Sequence, residues 1–528
     1  APQKASVDST IPRLDTSAPA PLLNKMNGKG PAVLRGLLFA RCHVLRMVAI
    51  SCAVLVPCFW HAQIEAGDLG SHIYNAWIAQ LIRQGKAPGL YLVSLWHNVL
   101  FDWLLAGAAR VLGFGGAQRV VVPLTVLIFF WGAFALLGAL SGRAAWLLTP
   151  CLAMLAYGYC FNMGFFNYYL SIGLACFSLA IFLGGTRGDK IAALFFLPMI
   201  YLAHPVGFSF VVGTMVYLAA KERLPGWWKL AVPAMALGGI SALHWVLVRR
   251  ASFDVDWEKA GPFYVLNGSD QLVLYGDQYS SLARLLVLFG VICVLVDGLL
   301  RRRDGWQGWR PFALPLELYA LAFAVTALLP ENVRTVPENG WMGLLVSRLT
   351  IVSALFGLSV LGCLKPRPWQ LAGFLILAGA FFVFLYDDTA YLNQIERSAE
   401  ELLWHVPYGT RMVADLSTLP DSRIEFVGHL AERVCVGHCF AYFNYEAPSR
   451  QFRVRAVPGS PMALDSYAKF EELVKPTYVF QERDLPLVLL YQCDEKDLTQ
   501  LCLRPLAAGQ TMDGIGAQRE NGSAEDSK

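Results

Sequence analysis

The residues of this chain best suited to chemistry lie in one short run, Glu65-Ala-Gly-Asp68-Leu-Gly-Ser-His72-Ile-Tyr-Asn75. The run follows directly on the first hydrophobic segment. A carboxylate set just past an apolar span does little for stability and is a candidate general base. Read as a helix over 67–85, the run separates into two faces. Ile73, Trp77, Ile78 and Leu81 make an apolar face, as a 3.6-residue period requires. Asp68, His72 and Asn75 share another. Such a helix, with surface helical structure over 68–88, is expected to lie on a membrane with the first face in lipid. The second face would then meet a cavity. The plain alternative is a solvated interfacial helix with Asp68 as its N-terminal cap.

Three other groups carry chemical potential. Tyr157-Gly-Tyr-Cys-Phe-Asn162-Met-Gly-Phe-Phe-Asn167-Tyr-Tyr169 interleaves amides with aromatics. Aromatic faces with amide hydrogen bonders suit sugars, and an ordinary interfacial aromatic belt is the alternative. His204 precedes Pro205 at a helix junction, where a lone histidine is either structural or a substrate contact. The loop Pro330-Glu331-Asn-Val-Arg334-Thr-Val-Pro-Glu338 leads to Arg348 inside the next span. An arginine in an apolar span needs an anion. Its planar fork suits phosphate oxygens, and a salt bridge to Glu317, Glu331 or Asp102 is the competing reading. There is no nucleotide-binding loop, no glycine-rich phosphate cradle after a strand and no Ser-His-Asp motif of known spacing.

The elements that must position these residues are membrane helices. The chain has 528 residues, 56% hydrophobic and only 16% charged, with mean hydropathy +0.46. A soluble protein carries about 25% charged residues. Apolar segments recur at 44–62, 92–113, 119–140, 145–160, 169–184, 190–204, 205–220, 228–248, 281–300, 312–330, 343–364 and 369–387. Each approaches the roughly 20 residues that cross a bilayer. The fold class is therefore an α-helical polytopic membrane protein, since the alternating strands of a barrel are absent. The net charge of +4 is small and dispersed, which argues against nucleic acid as a partner.

Residues 1–33 are rich in Pro, Ser, Lys and Ala and read as a disordered cytoplasmic tail. Basic loops mark the cytoplasmic side. Lys221–Lys229, Arg301–Arg310 and Lys365–Arg367 therefore read as inside, and 331–342 and 388–528 as outside. Arg143, Arg187 and Lys190 also read as inside, which leaves 161–168 outside. A cytoplasmic N-terminus and an external C-terminus require an odd count, so about 13 crossings are expected, with one hidden between 85 and 141. Arg249 and Arg250 fall on the wrong side of this scheme.

Residues 34–387 are thus the membrane domain that holds the candidate site. Residues 388–510 read as a small extracytoplasmic α/β or α+β domain, with strand-like runs at Thr477–Phe480 and Leu487–Tyr491 and a helix at Ser466–Leu473. Residues 511–528 read as a loose tail. Eight of the twelve cysteines lie in or beside spans; Cys435, Cys439, Cys493 and Cys502 do not. Four cysteines outside the cytoplasm imply two disulfides. Pairing Cys435 with Cys439 and Cys493 with Cys502 closes the shortest loops, although three pairings exist. A zinc site at Cys435-Val-Gly-His438-Cys439 is the alternative.

The pattern Gly67-Asp68-Leu-Gly-Ser-His72-Ile-Tyr-Asn-Ala76, then Gly85, resembles the GT-C superfamily of membrane glycosyltransferases. That group includes the protein O-mannosyltransferases, the lipid A aminoarabinose transferases and the oligosaccharyltransferases. The resemblance implies a catalytic acid in the first external loop, a polyprenyl-phosphate sugar donor and a bacterial inner-membrane location. Asp68 would be the base, with His72 and Glu65 orienting it. Asn75, Asn162, Asn167, His204, Arg334 and Arg348 would bind donor or acceptor. The chain lacks the paired acids often seen there. Glu65 is the nearest second acid, so Asp68 and Glu65 are the candidate ligands of a divalent cation, Mg or Mn. The rival functions are a lipid or glycan flippase and a non-catalytic scaffold of an envelope polysaccharide machine. No inverted repeat supports the first.

Overall fold

Apolar length sets the first level of the architecture. A computed structural model describes residues 31–249, 254–258, 267–334, 342–403, 405–417, 419, 421–475, 477–494 and 497–511. Its main helices are α1 (Ala32–Leu55), α2 (Leu69–Arg83), α3 (Leu100–Ser141), α4 (Phe166–Phe182), α5 (Pro205–Arg223), α6 (Trp228–Arg249), α7 (Asp277–Arg301), α8 (Ala313–Leu328), α9 (Leu345–Gly362), α10 (Pro368–Leu403), α11 (Leu430–Cys435) and α12 (Tyr467–Val474). Among the described residues, seven are long and apolar enough to cross a membrane: α1, α3, α6, α7, α8, α9 and α10. The protein is a helical membrane protein.

Several expected spans take another form, each for a local reason. The segments 92–113 and 119–140 are one helical run, α3, interrupted only at Gly113, whose φ of 70° no ordinary helix residue adopts. The run at 145–160 breaks at Gly158, which is extended and starts a new turn. The run at 190–204 is two short helices, the second stopping at His204 because Pro205 forces the residue before it out of the helical region. α3 and α4 cross closely. A Cβ on Gly132 would stand 2.2 Å from the Gly173 carbonyl oxygen, the small-residue contact that brings membrane helices together.

One group of basic residues lies together at one end of the bundle. Arg35 reaches the Gly184 carbonyl and Arg143 the Gly362 carbonyl. Arg301 reaches Cys363, and Lys190 and Lys221 pair with Glu222 and Glu317. Arg348 lies in the first turn of α9, at the end opposite Gly362, and Asp68 immediately precedes α2.

Among the described residues eight short strands complete the fold: β1 (Leu90–Leu92), β2 (Asp254–Asp256), β3 (Asn332–Arg334), β4 (Arg411–Asp415), β5 (Phe440–Ala441), β6 (Val454–Ala456), β7 (Leu487–Asp494) and β8 (Asp497–Pro505). The C-terminal region folds around a mixed sheet of order β5-β4-β7-β8, with β4 parallel to both neighbours and β7–β8 a hairpin. Val413, Leu464, Leu473, Phe480, Leu487 and Leu489 form its own apolar cluster. Helix α12 stands where the sequence placed it, but 477–480 is not a strand. The disulfides are Cys435–Cys439 and Cys493–Cys502. His438 Nε2 donates to the Val406 carbonyl, 2.6 Å away.

Two boundaries differ from expectation. Helix α10 does not stop at 387 but runs on to Leu403, carrying the membrane part into the C-terminal region. Helix α2 does not lay its apolar face on lipid. Ile73, Trp77, Ile78 and Leu81 are buried inside the protein, and α11 and the β1–β6 pair close over it. The period marked an apolar face, but protein covers α2 on nearly every side, and Ser71 and Asn75 are buried as well. α2 ends at Gln84, where Gly85 at φ 71° turns the chain away.

Candidate active site

Asp68 is fixed by its backbone, which leaves its carboxylate available. Gly67 and Asp68 donate their N–H groups to the carbonyls of Asn162 and Met163 at 2.7 and 3.0 Å. On this side Gly164, at φ 78°, has no room for a side chain: a Cβ would stand 2.5 Å from the Asp68 nitrogen. On the other side, a Cβ on Gly67 would meet the Glu425 carbonyl at 2.9 Å, and one on Gly70 the His429 carbonyl at 2.8 Å. The pattern Gly67-Asp68-Leu-Gly70 is therefore a clamp that needs bare backbone on both faces.

The Asp68 side chain makes no capping bond to α2, so the cap reading does not hold. Its Oδ1 lies 3.1 Å from His429 Nε2, and the carboxylate stays 23% exposed. The second ring nitrogen of His429 is 2.6 Å from Glu432 Oε2. Burial by itself lowers the His429 pKa, but Glu432 and Asp68 together hold it well above the ordinary range. Burial by itself raises the Asp68 pKa, but the His429 hydrogen bond and the charges of His429, His72 and Arg348 bring it below. Asp68 is an ionised carboxylate backed by an imidazolium.

A second histidine–carboxylate pair lies one turn along α2. His72 Nδ1 is 2.7 Å from Asp102 Oδ1. Asn167 Nδ2 donates to Asp102 Oδ2 at 2.8 Å, and Asn167 Oδ1 accepts the Phe101 N–H at 2.8 Å. Burial opposes charging His72, but Asp102 outweighs it and the pKa rises to about 9. One turn further, Asn75 exchanges amide hydrogen bonds with Asn444 at 3.3 and 2.8 Å. Asn167 thus positions Asp102, and Asn75 joins α2 to the C-terminal region.

Arg348 supplies a cation that lacks an anion. Its guanidinium stacks 4.0 Å from the centroid of Phe165. Its Nε is buried without a hydrogen-bond acceptor, and among the described residues it forms no ion pair. The three acids that could have neutralised it are taken. Glu317 pairs with Lys221, Asp102 with His72, and Glu331 accepts the Ser347 N–H at the start of α9. Arg348 is close enough to Asp68 for its charge to help depress the carboxylate's pKa.

The other sequence candidates are placed elsewhere. Asn162 is 1% exposed, donates to the Tyr157 and Gly158 carbonyls, and accepts from the Tyr275 hydroxyl. It holds the loop that grips Asp68. His204 accepts the Val206 N–H at the start of α5 and stands edge-on to Tyr168. Arg334 bonds Glu471 on α12 at 2.6 Å and lies over Tyr467, which ties β3 to the C-terminal region. Thr335–Glu338 lies outside the described residues.

Glu65 belongs to a different cluster. Its carboxyl is 3% exposed and receives no donor. Burial first, and then Glu396, push its pKa well above the usual range, so it is neutral and directed at Glu396. Glu396 in turn takes Arg433 Nε at 2.9 and 2.8 Å, and Arg433 also reaches Gln63 and Gln118. The pair Asp68 and Glu65 is therefore parted. Asp68 faces His429, whereas Glu65 faces Glu396 and Arg433, so the two carboxyls have different partners.

The partners that sequence reasoning missed are His429, Glu432 and Asn444, and Asp102 was considered for Arg348 but not for His72. The one local signal was the i, i+3 spacing of His429-Leu-Ala-Glu432, which puts both side chains on one face of a helical turn. Comparison with protein-family models, curated proteins and solved structures finds no match for this chain.

Proposed function

We propose that this protein is a membrane glycosyltransferase of the GT-C kind. It moves a sugar from a polyprenyl-phosphate donor to a lipid, glycan or protein acceptor on the extracytoplasmic side. The observation that carries the reading is Arg348: a partly buried guanidinium without a counter-ion, beside an ionised, solvent-reachable carboxylate. A lipid phosphate supplies the missing anion, and an acceptor hydroxyl supplies the proton that Asp68 takes.

The chemistry balances in one displacement. The acceptor oxygen attacks the anomeric carbon. The bond from that carbon to the phosphate oxygen breaks, and its electron pair leaves with the lipid phosphate against Arg348. The acceptor proton passes to Asp68. A single in-line attack inverts the anomeric centre. Asp68 is a weak base, but the attacking oxygen becomes acidic as its new bond forms, so a carboxylate that is always ionised suffices. His429 and Glu432 hold Asp68 in place and in that state.

The gathering of Arg35, Arg143, Lys190, Lys221 and Arg301 at the far end supports placing that end in the cytoplasm. Asp68 and the disulfide-bearing C-terminal region then face the periplasm of a bacterial inner membrane. The test is reconstitution of the purified protein with short-chain polyprenyl-phosphate sugars and release of lipid phosphate as the readout. Release that Asp68→Asn abolishes supports the reading; release that the variant retains in full removes it.

A further inference from the structure

At the basic end of the bundle, an open cavity of about 330 Å³ lies between the last turns of α5 and the first turns of α6 and α8. Leu218, Ala313 and Leu314 give it an apolar floor, and Lys221, Lys229 and Arg310 stand around it. The charges of its wall do not cancel. Lys221 is paired with Glu317, and Glu222, an acid of the same wall, with Lys190. Lys229 and Arg310 are exposed, and among the described residues neither forms an ion pair. Two positive charges remain. No acid stands in the first turn of α6 or α8, so the positive ends of both helix dipoles add to them. Tryptophans set the depth. Trp228 adjoins Lys229, and Trp309 adjoins Arg310. Trp227 and Trp228 stack at 4.0 Å and, like Trp309, leave much of their rings uncovered. Exposed tryptophan beside lysine and arginine at the ends of apolar helices marks the level of lipid head groups.

We propose that this cavity binds the phosphate head group of an anionic membrane phospholipid, with Lys229 and Arg310 on the phosphate and an acyl chain along Leu218 and Leu314. Charge and floor together select the ligand. A zwitterionic head group brings its own cation to two that are already there. A free phosphate answers the cations but leaves the apolar floor in water. A phospholipid of net negative charge answers both, as basic pockets between membrane helices do elsewhere. The Arg310 fork can take two phosphate oxygens, and Lys229 adds a point charge. The volume falls within the about 300–1,000 Å³ of small-molecule sites, enough for a head group. The cavity shares no residue with the cluster around Asp68 and Arg348, so the inference stands apart from the transferase reading. A lipid held there would join α5, α6 and α8 at one corner of the bundle.

The experiment uses the purified full chain in an uncharged detergent, titrated with phosphatidylglycerol or phosphatidylcholine of the same acyl chains and read by native mass spectrometry. The parent should hold phosphatidylglycerol more tightly than phosphatidylcholine. Lys229→Gln with Arg310→Gln should weaken phosphatidylglycerol at least about tenfold and leave phosphatidylcholine within about twofold. Both side chains are exposed, so the melting temperature without lipid should hold. Arg41→Gln with Arg187→Gln removes the same charge from exposed positions elsewhere and should change little. Ala313→Trp fills the floor with both cations in place and should also expel the lipid, a second route to the same answer. Equal loss in the Arg41 and Arg187 variant would make the attraction a matter of net charge and overturn the site. No preference for phosphatidylglycerol in the parent would overturn it as well. Displacement of the lipid by an equal concentration of inorganic phosphate would give the cavity to a soluble anion and remove the lipid reading.

Discussion

Glu65 and Asp68 are three residues apart and end in the same functional group, yet they do opposite work. Glu65 enters a sealed cluster in which Arg433 answers Glu396 and a neutral carboxyl completes the packing. Asp68 enters an open one, where His429 fixes one oxygen and solvent reaches the carboxylate. A cation sits near each. Arg433 is spent on a protein carboxylate, whereas Arg348 is not. An acid's role is thus set by whether its surroundings are already neutralised, and neighbours in sequence can fall on either side of that line.

The sharpest way to break the comparison is at the sealed cluster. Arg433→Leu strands a buried carboxylate and should cost about 3–5 kcal/mol. Thermal melting of the purified protein measures it. An unchanged melting temperature would mean that Glu396 carries no charge and that the two clusters are not distinct in kind.

The next effect is on turnover. Asp68→Asn keeps the shape and should slow transfer at least about 10²-fold without lowering the melting temperature. Glu65→Gln should leave transfer within about twofold, because the carboxyl is already neutral. Comparable losses in both variants would erase the distinction. Arg348→Lys follows, with donor KM raised about tenfold, since a point charge replaces a bidentate fork. A KM identical to that of the parent would return Arg348 to a structural role.

The smallest effect is a pH trend confined to the open side. The folded His72 pKa of about 9 exceeds its ordinary 6.5. Its stabilising contribution is complete below the ordinary value and is lost as pH rises through about 9. Glu446, raised from 4.5 to about 8, acts with the same sign at lower pH. The melting temperature should therefore fall on the alkaline side. His72→Gln should flatten the upper part of that fall, and a curve of unchanged shape would deny the His72–Asp102 pair its charge.

Much of this was legible in the sequence because it depends on local pattern. The membrane class follows from apolar runs, the α2 helix from a 3.6-residue period, and both disulfides from short cysteine loops outside the spans. Asp68 stood out for the same reason, as an acid next to an apolar segment. The partners of Asp68 were not legible. Glu432 lies in a six-residue helix far along the chain and His429 immediately precedes it, and no period or spacing links them to α2. Glu65 was misplaced because sequence proximity suggested a shared task, and only Glu396 and Arg433 show which way it turns. The spans at 145–160 and 190–204 looked continuous because hydropathy does not register the breaks at Gly158 and before Pro205.

The amide pair between Asn75 and Asn444 also sets a schedule. These residues are 369 positions apart, so at a synthesis rate of about 5–20 residues per second the first waits roughly 20–70 s for the second to be made. Through that interval α2 has emerged but its cover, α11 and β6, has not. Its apolar face must be sheltered by lipid or by the insertion machinery. The nascent chain therefore carries Asp68 without His429 behind it until the C-terminal region has been made and docked. A chain truncated before His429 would keep α1–α10 and lack the His429–Glu432 pair behind Asp68.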